Sequence, residues 1–340
     1  MKNQGKRVRS IDPHILSLLV IFSLFFVIMC ITQGDRFLRV SIFKAMMYQF
    51  PEYGLLAFGV MLALISGGND LSTVGVANLT GIICAMMMVA WVPKDVSGMQ
   101  AVTAIAGIGL VALIIGAICG MVTAFLIYQL NIPAFVASIG TQMLYMGIGM
   151  GLTEGAAISG LPAAYTNFIQ YNFFTLIPVP LVIFLVCAVF MAYVTNRSSF
   201  GLKLKLYGSN PNAAKFAGIR KGEVVSKAYV ISGCMSALAG LIMIGRMNSA
   251  KSDYGTSYTL LSILICILGG VSPKGGIGRI SGVLFSVITL QMVTSGLSLF
   301  RSINTFYNMI FFGALLLLAM IFDYYYDKFH MKKLNRGLAK

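Results

Sequence analysis

Asp70 is the side chain of this 340-residue sequence best placed to do chemistry. It stands in Gly67-Gly68-Asn69-Asp70-Leu71-Ser72, with apolar runs on both sides. An ionisable group between such runs can hold a coupling ion or a polar solute. The same carboxylate also suits the N-terminus of a helix starting near Thr73. There Asp70 or Ser72 would accept from free backbone N–H groups and complement the helix dipole. Other chemistry is hard to assemble. No G-x-x-x-x-G-K-[ST] stretch is present, so the chain is not expected to bind ATP through a P-loop. The two histidines, His14 and His330, lie near opposite ends, and no Ser/His/Asp or metal constellation can be built from them. The six cysteines sit in or at the end of apolar runs without a CxxC pair and read as soft packing residues. The expectation is no catalytic residue, no metal and no cofactor.

A second glycine-rich interruption, Gly269-Gly270-Val271-Ser272-Pro273-Lys274-Gly275-Gly276, lies in the other half of the chain. Interruptions at corresponding places in two halves are expected of broken helices in structural repeats, where irregular backbone lines a cavity. Short loops between ordinary helices are the alternative. The broken helix is the preferred reading for Gly67–Ser72, and both stand open for Gly269–Gly276. G-x-x-x-G pairs at Gly116/Gly120, Gly147/Gly151 and Gly278/Gly282 predict close helix packing.

The segment from Gly208 to Ile219 is of another kind. Ser209 or Asn210 can cap a helix whose first turn holds Pro211, and Gly218 ends it after about two turns. A short, capped, Ala-rich helix with no membrane to cross is a suitable knob for a groove on another protein.

The elements that must position these residues are membrane helices. Hydrophobic residues make up 58% of the chain and charged residues 10%, against roughly 25% charged in a soluble domain. The net charge of +15 is distributed in short segments between apolar runs, which fits membrane topology rather than nucleic-acid binding. Ten apolar stretches can span or half-span the bilayer: 14–31, 53–68, 72–92, 101–130, 134–152, 176–196, 224–246, 257–270, 276–299 and 304–323. The first follows Lys2, Lys6, Arg7 and Arg9 but has no A-x-A site after it, so it reads as a retained helix. Residues 36–50, with Arg36, Arg39 and Lys44 among apolar residues, read as an interfacial amphipathic helix. The positive-inside rule puts the N-terminal tail, 197–227 and the C-terminal tail in the cytoplasm. The loops 93–100 and 153–175 then fall outside with only Lys94 between them, and Lys251 is an exception in the outer loop 247–256. Arg246, Lys274, Arg279 and Arg301 stand at span ends, where they can snorkel. The whole chain, 1–340, reads as one transmembrane domain, embedded over about 14–323, with 197–223 and 324–340 cytoplasmic.

These residues resemble a known family. Ser66-Gly67-Gly68-Asn69-Asp70-Leu71-Ser72 is similar to the "GG-I-DLS" stretch of the ribose-type permeases of bacterial ABC sugar importers, with Asn69 in place of the usual Ile. Asn131-Ile132-Pro133-Ala134-Phe135-Val136-Ala137-Ser138-Ile139-Gly140-Thr141 resembles their "PPFIATLGT", and Ile158–Pro162 their "ISGLP". Gly208-Ser209-Asn210-Pro211-Asn212-Ala213-Ala214 with Gly218-Ile219 resembles "GGN-x-x-AA…GI". Ser232-Gly233, Ala239-Gly240, Leu268-Gly269-Gly270 and Gly275-Gly276-Ile277-Gly278 follow in the family's order, so the resemblance covers about 53–323. It implies an all-α, type II-like permease of about ten helices in the bacterial cytoplasmic membrane. It further implies a second permease copy or homologue, two ATPase subunits that hydrolyse ATP, and an extracytoplasmic solute-binding protein. Gly208, Asn210, Ala213, Ala214, Gly218 and Ile219 would form the coupling helix against the ATPase. Gly67, Gly68, Asn69, Asp70, Ser72, Thr141, Gly269, Gly270, Gly275 and Gly276 are the candidates for the solute path or for helix breaks. The solute would be a sugar or a related small polar molecule. The competing reading is an ion-coupled secondary transporter that uses Asp70.

Overall fold

The computed structural model describes residues 13–93, 96–300, 310–318 and 320–321. The basic N-terminal tail, Lys94, Arg301, the first part of the tenth predicted span, His330 and the C-terminal tail lie outside them, as does the side chain of His14. Among the described residues the chain is nearly all helix: α1 (Pro13–Gln33), α2 (Val40–Ile65), α3 (Thr73–Trp91), α4 (Gly98–Tyr128), α5 (Ala134–Thr153), α6 (Ala163–Gln170), α7 (Val179–Asn196), α8 (Ser199–Ser209), α9 (Pro211–Phe216), α10 (Lys221–Met247), α11 (Tyr258–Leu268) and α12 (Ile280–Leu297). Residues 310–318 are helical as well. Four two-residue strands form two small ribbons. In these, β1 (Ile158–Ser159) pairs with β4 (Ser249–Ala250), and β2 (Asn172–Phe173) with β3 (Ile177–Pro178), both antiparallel.

Eight of these helices are long and apolar enough to cross a bilayer. With the short α11 and the stretch at 310–318, the described residues of each of the ten predicted spans include helix. The centre is α10, whose 27 residues extend about 40 Å. Its Gly233 and the Tyr229 backbone lie directly against Gly116 and Gly120 of α4, and its Gly240 lies against Ala77 of α3. Small residues on α10 and its neighbours let the backbones touch, which gives dispersion contacts where lipid offers no hydrophobic drive. Gly282 likewise meets the Gly269 carbonyl, whereas Gly147 and Gly151 have nothing within 4 Å and face open space. The G-x-x-x-G expectation therefore holds for Gly116/Gly120, and Gly147/Gly151 have no packing partner among the described residues.

Several expectations need correcting. Residues 40–50 are not a separate interfacial helix. They are the first part of a continuous α2 that passes through Pro51. Met46 and Phe50 are buried, and Met46 packs with Met29 of α1 and Met292 of α12, so tertiary contacts offset the lost proline hydrogen bond. The 197–223 segment, read as a loop with a short helix from Gly208, also holds α8, which takes Gly208 and Ser209 as its last residues and leaves Pro211–Phe216 as the short helix. The break at Gly67–Ser72 is a turn between two full-length helices. Gly59 of α2 lies at Ser232 and Glu52 at Arg246, while Ala77 and Gly81 of α3 lie at Gly240 and Ile244, so α2 and α3 run oppositely along α10. The interrupted span is instead α11. Its 11 residues reach only about 16 Å, short of the roughly 30 Å hydrocarbon layer.

The two turns nevertheless correspond. Gly67 N–H donates to Leu64 O and Gly68 N–H to Ala63 O; Gly270 N–H donates to Ile267 O and Val271 N–H to Cys266 O. Gly67 has φ +81° and Gly270 φ +76°, the left-handed residue of a Schellman C-cap in each case. One local solution ends both α2 and α11.

Candidate functional site

The turns after α2 and α11 meet α8 at one end of the bundle. Gly276 N–H donates to Ile65 O at 2.9 Å, which ties the second turn to the last residue of α2. A Cβ on Gly208 would overlap the Ile65 carbonyl oxygen and stand 2.6 Å from the Gly276 nitrogen. A Cβ on Gly275 would stand 2.6 Å from Gly208 O and 2.9 Å from the Gly67 Cα. On Gly276 it would overlap the Ser209 hydroxyl. Three segments distant in sequence therefore touch mainly through backbone, with the Ser209 side chain beside Gly276. Gly67, Gly208, Gly275 and Gly276, taken separately from the sequence, form one junction.

This junction leads straight into the short helix α9. Asn210 caps it: Oδ1 accepts from Asn212 N at 3.1 Å and Ala213 N at 3.0 Å, so Asn210 is the cap rather than Ser209. Pro211 takes the first helical position, where its missing N–H costs nothing. Gly218, at φ +78°, turns the chain, and Ile219 N–H donates back to Ala214 O at 3.0 Å. Only Ala214 of α9 is buried; Ala213 and Lys215 are exposed, and Phe216 is 93% exposed. Tyr207, Pro211, Asn212, Lys215, Ile219 and Arg220 line a cavity of about 470 Å3 on this knob. Burial raises the Tyr207 hydroxyl above its ordinary pKa. Behind the knob, Glu223 of α10 pairs with Lys203 of α8 at 3.3 Å and with Lys227 at 3.0 Å. Lys221 Nζ donates to Asn131 Oδ1 at 2.7 Å, which fastens the α4–α5 connection to the same end.

Asp70 lies just inside the junction and is 3% exposed. Its Oδ1 accepts from Ser72 N at 3.0 Å and Ser72 Oγ at 2.6 Å, and its Oδ2 accepts from Ser232 Oγ at 2.6 Å. Tyr229 Oη donates to Asn69 O at 2.9 Å. The carboxylate thus organises the entry to α3 and clamps it to α10. Ser72 precedes α3 but makes no side-chain cap of its own. The Asn69 Oδ1 is buried without a hydrogen-bond partner among the described residues, a polar cost that the family's usual Ile would not incur. Replacing Asp70 by Asn should cost about 1 kcal/mol, the difference between charged and neutral acceptors, and should be read by thermal unfolding in detergent. Thr141 is buried in the α4–α5 contact, where its Oγ1 donates to Ala137 O at 2.9 Å and accepts from Thr123 Oγ1 at 3.2 Å. Gly269 lies against α12, and Gly68 against Tyr229 and Ala134.

Sequence reasoning missed the polar group at the opposite end. Glu52 of α2 is fully buried, and Arg246 Nη2 donates to its Oε2 at 3.0 Å. Arg246 therefore does not snorkel; it closes an ion pair between α2 and α10. Next to it, Tyr53 donates to Gln291 Oε1, and Gln291 Nε2 donates to Gln49 Oε1 at 3.1 Å, which adds α12. The signal was available, because Glu52 is a lone carboxylate opening an apolar run and such a group requires a partner. The loop at this end also accounts for Lys251. It donates to Asp253 at 2.9 Å, and that hydrogen bond and the carboxylate's charge raise its pKa. Its positive charge is matched locally.

With the geometry in hand, the comparisons are consistent. Residues 42–320 match the family described as branched-chain amino acid transport system / permease component. The chain is 29% identical over 295 residues to the autoinducer 2 import system permease protein LsrD of Yersinia enterocolitica, covering 85% of both proteins. Against the protein of that name from Yersinia pseudotuberculosis it is 28% identical over 295 residues, and from Salmonella paratyphi B 28% over 298, with 85% coverage of both chains in each case. No solved structure matches it. Helices that span, a capped knob at one end and a family match over most of the chain lead to one statement: the chain belongs to the permease-component family of ABC importers, a transport family rather than a catalytic one, and is a multi-pass membrane permease subunit.

Proposed function

We infer that α9 is the docking surface for an ATPase subunit and that the junction at Gly208 carries its movement into the membrane helices. The single observation behind this reading is the backbone contact of Gly208 and Ser209, the residues leading into α9, with the turns after α2 and α11. A push on α9 then moves two hairpins together, as rigid-body alternation requires. In this reading the Gly208 end and both termini are cytoplasmic, a placement supported by the lysines and arginines around α8 and α9. The chain works as one transmembrane domain with a second copy or a homologous permease, two ATPases, and a solute-binding protein at the Arg246 end. It imports a sugar-like polar solute; the relatives' printed name, an autoinducer 2 import system, supports that class.

The test is uptake into proteoliposomes that contain the permease, its ATPase and its binding protein. Uptake should require ATP and should ignore an imposed ion gradient. Asp70→Asn should retain ATP-driven uptake, because Asp70 is already satisfied by three protein hydrogen bonds; loss of uptake with folding intact would instead support ion coupling. Asn210→Ala should remove about 1 kcal/mol of cap energy and reduce the permease's stimulation of ATP hydrolysis several-fold while leaving the spanning helices folded by circular dichroism.

A further inference from the structure

The β2–β3 hairpin is held at the Arg246 end in a conformation its residues disfavour. Its tip is Phe174-Thr175, with φ +49° and +62°. Two consecutive left-handed residues are the geometry of Asn-Gly turns, and a bulky aromatic or β-branched residue there is strained. Among the described residues nothing covers the aromatic ring, and Phe174 is 92% exposed. Tyr171, Phe173, Leu176 and Ile177 around it are exposed as well. The hairpin itself is firmly placed. Lys44 Nζ donates to Thr175 O at 3.2 Å, and Tyr48 Oη donates to Gln170 O at 2.7 Å.

Its depth can be read from packing. Lys44 lies half a turn before Met46, which packs with Met29 of α1 and Met292 of α12. The tip is therefore level with the last turns of α1 and α12. There the lipid-exposed Ile31 gives way to Gln33, Asp35 and Arg36, and α12 ends at Leu297-Ser298. For helices that span a bilayer, this change from apolar to polar and charged residues marks the boundary between hydrocarbon and headgroup. Exposed aromatic rings at this level are stabilised by the interface.

We propose that the Phe174 hairpin is an interfacial anchor that inserts its aromatic tip into the headgroup–acyl boundary of the outer leaflet. Strain at the tip is retained because Asn-Gly, which would relieve it, has nothing to insert.

The experiment uses the full chain in nanodiscs of phosphatidylethanolamine and phosphatidylglycerol. Trp91, the sole tryptophan, is replaced by Phe and Phe174 by Trp. Phospholipid brominated near the headgroup should quench the Phe174→Trp fluorescence several-fold more than aqueous iodide does. Strong iodide quenching with little lipid quenching would overturn the proposal and point to a tip held in water for a protein partner. Quenching by neither would overturn it too, since a second copy would then cover the tip. Should Phe174→Trp fail to fold, Phe173→Trp on the same hairpin supplies the reading. Phe174→Asn, which tolerates the left-handed turn, should unfold no earlier in detergent yet lose its extra thermal stability in the lipid nanodisc.

Discussion

Gly208→Ala is expected to lower ATP-driven uptake by about tenfold or more, the scale of an ordinary coupling free energy. Gly208 is the last residue but one of α8, where alanine is no worse a helix former than glycine. Any loss must therefore come from the junction, where the new methyl group overlaps Ile65 O and crowds the Gly276 nitrogen. Both are backbone atoms, so no side chain can rotate away. Either α8 moves off the two turns or the turns deform, at an overpacking cost of about 1–3 kcal/mol. In the first case ATP hydrolysis persists while uptake falls, which is uncoupling. Gly140→Ala is the control, for Gly140 has nothing within 4 Å, and its uptake should match the unaltered protein. Equal uptake by Gly208→Ala and the control would mean that the junction is not a transmission point.

Arg246→Met should be the most destabilising single change at the opposite end, by about 3–5 kcal/mol. It leaves the Glu52 carboxylate fully buried without its partner, in a bundle whose Arg246 side chain is itself only 24% exposed. Glu52→Gln should cost less, since Arg246 can reach solvent with its long stem. The double variant Glu52→Met with Arg246→Met should regain much of the loss, because a hydrophobic pair of similar volume carries no desolvation cost. Thermal unfolding of all variants in one detergent measures the cycle. Additive losses would show that the pair is not coupled. The position of the pair between α2 and α10 also predicts where the bundle opens first when it is broken, namely at the end away from α9.

Much of the fold was legible in the residues. Apolar runs of spanning length fix helices because a bilayer leaves no other way to satisfy the backbone, so the places of the ten spans could be read directly. Asn210, Pro211 and Gly218 also identified a short helix, since capping, φ restriction and left-handed turning are local properties. The reading failed where a distant contact decided the outcome. The segment 36–50, with Arg36, Arg39 and Lys44, reads as an interfacial helix, yet Met46 packs against α1 and α12 and Phe50 is buried in the core, and α2 continues through Pro51. Thr141 appears as a polar residue free to line a path, and only packing against α4 shows it satisfied.

The sequence by itself determined a helical membrane protein, its capped knob and a glycine-rich interruption in each half, because hydropathy, capping and glycine punctuation act within a few residues. Only the tertiary structure decided that Gly67, Gly208 and Gly275–Gly276 are one junction, that Asp70 clamps α3 to α10, and that Glu52 and Arg246 are partners. Contacts between residues so far apart in the chain leave no periodic trace, and each glycine has the same local signature whether it faces another backbone or open space.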